Sequence, residues 1–150
     1  IVVPDIIGGG VDSLKYSVEF YSRLDKYPFA KYLVVQDGMK KEDVEPYLNK
    51  KNNKENIEFD GIFVGGAPTF KGFGEAKSDE VEWKLQTMEM WNNLAHEYDK
   101  RCHVGRVSSI RRLNFARSIK VDSCDTSIVN FSQKAFKRYE LASKQSVMSF

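Results

Sequence analysis

Five short apolar runs recur along the chain, each closed by a polar residue or a glycine and most of them followed by a stretch with helical spacing. The runs are "IVVPD", "KYLVVQDG", "FDGIFVGGA", "CHVGRV" and "IKVDSCDTS". Near-continuous apolar runs of this length mark strands covered on both faces, which is the habit of parallel sheets. Between them, Leu14, Val18, Tyr21 and Leu24 repeat at helical spacing after the glycines at 8–10. A short helix is expected over 40–49, and a long one with Leu85, Met88, Trp91, Ala95 and Tyr98 along one face. Ser108 or Ser109 can cap a helix carrying Ile110, Leu113 and Ala116, and a final helix is expected over 132–146. Residues 49–56, "NKKNNKEN", read as a solvated loop. The expected product is one α/β domain over residues 1–150, with a parallel sheet covered by helices.

Two architectures build such a sheet: an open doubly wound fold and a (β/α)8 barrel. The polar groups discriminate between them. Asp5 ends the first strand, Gln36 and Asp37 the second, Gly65 and Gly66 the third, Gly105 and Arg106 the fourth, and Asp122 and Asp125 the fifth. In a barrel all strand C-termini share one mouth, so these residues converge on one ligand, whereas an open sheet gathers only those flanking its switch point. The expected fold is therefore of the (β/α)8 TIM-barrel type. A full barrel takes about 250 residues, so the chain supplies about five of its βα units. It opens on "IVVPD" without a Met and reads as the C-terminal part of a barrel, truncated at its N-terminus.

Charge is uneven. Residues 1–100 hold 13 Lys+Arg against 18 Asp+Glu, a net of −5, and residues 101–150 hold 10 against 3, a net of +7. A basic C-terminal third suits a phosphate-bearing partner, although solvated helix faces have the same composition. The two cysteines, Cys102 and Cys124, lack metal-ligand spacing and read as buried free thiols in a reducing compartment, taken as the cytoplasm. No apolar stretch is long enough to span a membrane and no signal peptide is visible.

Singly, each strand-end feature has an ordinary explanation: Asp5 after Pro4 can cap a turn, and Gly65-Gly66 can serve only backbone geometry. The triple glycine lacks the Lys-Ser/Thr of a phosphate loop. Together they suggest chemistry. A strand-end carboxylate can attack a sugar anomeric carbon, whose oxocarbenium-like centre is captured by a nearby anion. An Asp, a Gln amide and a glycine N–H match a guanine-like edge, which offers N–H groups to the carboxylate and a carbonyl to the amide and backbone. No Ser-His-Asp arrangement is apparent, and His103 reads as a core or supporting residue.

The set "VVPD", "VVQDG", "GIFVGG", "HVGRV…RR…A" and "VDSCD" resembles the tRNA-guanine transglycosylase superfamily, and within it most closely the DNA-acting branch that inserts 7-deazaguanines. The family's pieces run in the same order: a strand ending in Asp, then V-Q-G-G, I-G-G-L, G-V-G and V-D-x-F-D-C. The resemblance covers residues from about Val2 to Ser127. It implies that Asp5 recognises the base, that Gln36 contacts it, and that Gly65 and Gly66 meet its carbonyl. It further implies that Asp125 is the covalent nucleophile, that Asp122 supports it, and that Gly105 and Arg106 sit beside it at the mouth. Departures are the absence of the family's earlier essential aspartate, Asp37 in place of a glycine, and no zinc-ligand set within 128–150.

The implied activity is base exchange: guanine in a polynucleotide, here DNA, is replaced by a 7-deazaguanine such as preQ0, without a cofactor or zinc. Arg111, Arg112 and Arg117, with Arg106, are candidates for the phosphate backbone. Other readings stay open. They are a tRNA-acting enzyme of the same family, a barrel enzyme working on a small phosphorylated or sugar substrate, and a non-catalytic homologue that binds nucleic acid beside a partner. The barrel can also be completed by a second copy or another chain.

Overall fold

The computed structural model describes residues 1–65, 78–107, 109–126 and 132–144, with 78–83 and 143 described by backbone alone. Four strands form one parallel sheet: β1 (Tyr32–Val35), β2 (Gly61–Val64), β3 (Arg101–Val104) and β4 (Ser123–Cys124). Their spatial order is their sequence order. The register runs Leu33–Ile62–Cys102, then Val34–Phe63–His103–Ser123, then Val35–Val64–Val104–Cys124. The expected first strand is reduced to a parallel bridge between Val2 and Tyr32, in which the Val3 N–H donates to the Tyr32 carbonyl at 3.0 Å. The expected fifth strand, written over "IKVDSCDTS", is the two-residue β4, and Ser127 lies outside the described residues.

Connecting helices follow the apolar periodicity. Helix α1 (Val11–Leu24) starts after Gly10, whose φ of 50° is one that a side chain rarely tolerates. Helix α2 (Lys41–Val44) begins the expected 40–49 helix, which tightens at Pro46 into a 3-10 turn over Glu45–Leu48. Helix α3 is Ser78–Glu97, α4 is Ile110–Ser118 and α5 is Gln133–Lys144. Ser109 caps α4, its Oγ accepting from the Arg112 N–H at 3.2 Å; Ser108 lies outside the described residues. The stretch 49–56 is more ordered than a solvated loop. It contains a 3-10 turn, and the Asn53 amide donates to the Pro46 and Ile57 carbonyls.

Alternation along the strands separates two faces. Leu33, Val35, Ile62, Val64, Cys102 and Val104 join Leu14, Val44, Leu48, Met88, Trp91, Leu94 and Ala116 in one core cluster. All these helix residues therefore meet the sheet on the same side. On the other side lie Val34, Phe63, His103 and Ser123, none of which belongs to that cluster. The buried stripe of α3 is rotated from the expected one: Leu85 is half-buried and Lys84 is fully buried in its stead.

Thus the α/β class and the parallel sheet are observed. The strand order never reverses among the described residues, and helices α1 to α4 share one face; a doubly wound sheet shows the opposite in both respects. No described helix is long and apolar enough to cross a membrane.

Candidate active site at the strand ends

Because Val35, Val64, Val104 and Cys124 are in register, the next residues (Gln36, Gly65, Gly105 and Asp125) form one row across the C-terminal edge of the sheet. Alternation turns this row toward the side that the helices leave open. A cavity of about 330 Å³ sits there, lined by Asp5, Gln36, Gly65, Gly105 and Arg106, with Val34 and Phe63 as apolar wall. Five residues picked from four strand ends thus meet around one volume, and Asp125 of the fifth is not among the lining residues. Gly66 lies outside the described residues.

The recognition residues pair with each other. Gln36 is 2 % exposed, and its Nε2 donates to Asp5 Oδ2 at 2.5 Å and to the Ile6 carbonyl at 3.1 Å. Both partners only accept, so they fix which end of the amide carries nitrogen. The other end, Gln36 Oε1, is buried without a hydrogen-bond partner. This differs from the expected donor role toward a carbonyl: the free valence of Gln36 is an acceptor. The Gly65 and Gly105 N–H groups are engaged in the ladder, donating to the Val35 and Val64 carbonyls at 2.9 and 3.1 Å. Asp5 offers an occupant of the cavity a carboxylate acceptor, and Gln36 Oε1, closed to solvent here, would become a second acceptor for an N–H if the wall gave way.

Asp125 is held at both oxygens. Oδ1 accepts from the Arg106 N–H at 2.9 Å, and Oδ2 lies 3.1 Å from His103 Nε2. Burial pushes this carboxyl up, but the Arg106 N–H, the His103 ring and the nearby Lys84 ammonium outweigh it and hold it below the ordinary carboxylate value. Arg106, whose N–H makes that bond, has φ of 55°, a left-handed conformation rare for a side-chain-bearing residue. Lys84, from α3, donates to the Gly105 carbonyl at 2.5 Å.

Asp122 is placed elsewhere. It precedes β4 instead of closing it, and its Oδ2 accepts from the Cys102 N–H at 2.8 Å and pairs with His96 Nε2 at 3.0 Å. It therefore pins the start of β4 to β3 and α3, three residues from the mouth, and does not line the cavity. Of the helix arginines, Arg112 is 3 % exposed and its Nη1 donates to the Arg106 carbonyl, while Arg117 Nη1 donates to the Ala142 carbonyl of α5. Arg112 is thus built into the fold, while Arg117 is half-buried with one nitrogen tied to α5. Arg111 is exposed.

The cluster that sequence reasoning missed is Ser123–His103–Asp125. Ser123 Oγ lies 2.8 Å from His103 Nδ1, and the ring stacks on Phe63 with centroids 5.0 Å apart at 17°. The signal was the i, i+2 spacing of Ser123 and Asp125, but it needed the register that sets His103 opposite Ser123. Among the described residues no group of three or more His, Cys, Asp or Glu side chains is arranged to hold a metal. Searches against protein-family models and against curated protein sequences find no match to this chain.

Proposed function

We propose that the chain is the catalytic part of a base-exchange transglycosylase, built as an arc of a (β/α)8 barrel, that replaces guanine in DNA with a 7-deazaguanine. The arc is supported by strands in sequence order with helices on one side, so that the open face would be the barrel interior. The observation that carries the function is the row of Gln36, Gly65, Gly105 and Asp125 along one sheet edge: the first three line one cavity with Asp5 and Arg106, and Asp125, outside the lining, is tied to it through the Arg106 N–H.

A guanine-type edge presents adjacent N–H donors, which suit Asp5 and Gln36 Oε1; its flat face suits the Phe63 wall. Asp125, ionised and held at both oxygens, attacks C1′ of a flipped-out deoxyguanosine. The C1′–O bond forms as C1′–N9 breaks; the electron pair leaves on guanine, which takes up one proton. The incoming 7-deazaguanine gives up its N9 proton and attacks C1′, and the Asp125 carboxylate is released. Protons and charge balance over the exchange, so no redox partner is needed.

The test is incorporation of labelled guanine or preQ0 into a DNA oligonucleotide by the full chain, with an RNA stem-loop in parallel. Incorporation into DNA that vanishes in Asp125→Asn is the expected result. Exchange persisting in Asp125→Asn overturns the nucleophile, and exchange confined to RNA overturns the DNA substrate.

A further inference from the structure

We propose that His103 is the positioning residue for Asp125, holding its carboxylate in the attacking orientation through a directed Ser123–His103–Asp125 chain. This rests on the nucleophilic role of Asp125 proposed above. Asp125 follows a two-residue strand at the sheet edge, and its side chain is 52 % exposed. A carboxylate so placed rotates unless it is held, and misplacement of a reacting atom is costly.

Two contacts remove that freedom. The Arg106 N–H takes Oδ1, and it is a backbone group with a left-handed φ of 55°. His103 takes Oδ2 at 3.1 Å. Since a carboxylate only accepts, Nε2 must carry the proton, and in the neutral ring Nδ1 is then left to accept from the Ser123 hydroxyl at 2.8 Å. One face of the ring is stacked on Phe63, and its two nitrogens are engaged by Ser123 and Asp125, which together set its orientation. Each Asp125 oxygen keeps a second lone pair for the incoming carbon. The other groups that act on this point are the Lys84 ammonium of α3 and, next along the chain, the titratable Cys124 thiol of β4.

Two substitutions separate positioning from packing. His103→Gln keeps an N–H at the place of Nε2, whereas His103→Phe keeps the stack on Phe63 and loses the donor. Adduct formation on a guanine-containing DNA oligonucleotide should fall by about 10- to 100-fold in His103→Phe and recover most of that in His103→Gln. Independently of activity, carbon NMR of the Asp125 carboxyl should show its pKa moving up in His103→Phe and less so in His103→Gln. Equal adduct rates in wild type and His103→Phe overturn the positioning role, as does an unmoved Asp125 titration. If the wild type forms no adduct at all, the base-exchange function is what fails, and the titration still decides whether His103 holds Asp125.

Discussion

Gln36 concentrates the tension in this molecule: a polar side chain enclosed in protein, with its nitrogen tied to Asp5 and its oxygen unsatisfied. A buried acceptor without a donor costs about 1–3 kcal/mol, which a ligand N–H would recover. Gln36→Ala should weaken binding of preQ0 by about 10- to 100-fold, the worth of one buried hydrogen bond, measurable by calorimetry; unchanged affinity would move the base elsewhere. The two cysteines differ as sharply. Burial pushes the Cys102 thiol up to about 12, so it is inert at neutral pH, whereas Cys124, expected to be buried as well, is exposed, although partial burial and Asp125 push its thiol up too. Alkylation of the folded protein should label Cys124 alone, and Cys102 only after unfolding. Sequence reading named Asp5, Gln36, Gly65, Gly105, Arg106 and Asp125 because strand-end polarity is visible in a linear pattern. It could not see that Gln36 and Asp5 would bond each other, since that depends on how the first loop folds back over β1.

At the scale of elements, the sheet and the long helices were legible because their apolar periods are strong. The Val2 bridge and the short β4 were not: a β-branched run gives propensity, but pairing length depends on the neighbouring strand. The helix arginines teach the same lesson. Charge alone made Arg111, Arg112 and Arg117 equivalent, yet packing of α4 buries Arg112 and ties Arg117 to α5. Arg112→Ala should destabilise the fold by about 1–3 kcal/mol through loss of its bond to the Arg106 carbonyl, read as a lowered Tm. Arg111→Ala should leave Tm in place and, if the helix meets a phosphate, reduce the salt slope of DNA binding by about one. Close approach matters at Gly105 as well, where an added Cβ would meet the Phe63 ring at 2.5 Å. That ring is stacked on His103 and cannot yield freely, so Gly105→Ala should cost about 1–3 kcal/mol by overpacking and disturb Asp125 through His103.

Across the molecule, three carboxylates among the described residues are held below their ordinary values: Glu58 by the Lys100 ammonium at 2.5 Å, and Asp122 and Asp125 by hydrogen bonds that outweigh burial. A depressed folded pKa contributes stability above the unfolded value and loses it as pH falls through the folded one. The fold should therefore hold its full share of this stability above about pH 5 and lose it progressively below the ordinary carboxylate values. Lys100→Met should move the acid-unfolding midpoint toward neutral pH, followed by circular dichroism; an unmoved midpoint would show that the Glu58 pair contributes nothing. Strands in sequence order, helices on one side and a polar row on the other make the surface on which the proposed attack of Asp125 on a bound sugar would take place. The most direct measurement is mass spectrometry of the full chain trapped with a guanine-containing DNA oligonucleotide and digested. A glycosyl ester on the peptide carrying Asp125, absent from Asp125→Asn, is the expected result; an adduct on another residue, or none at all, would contradict it.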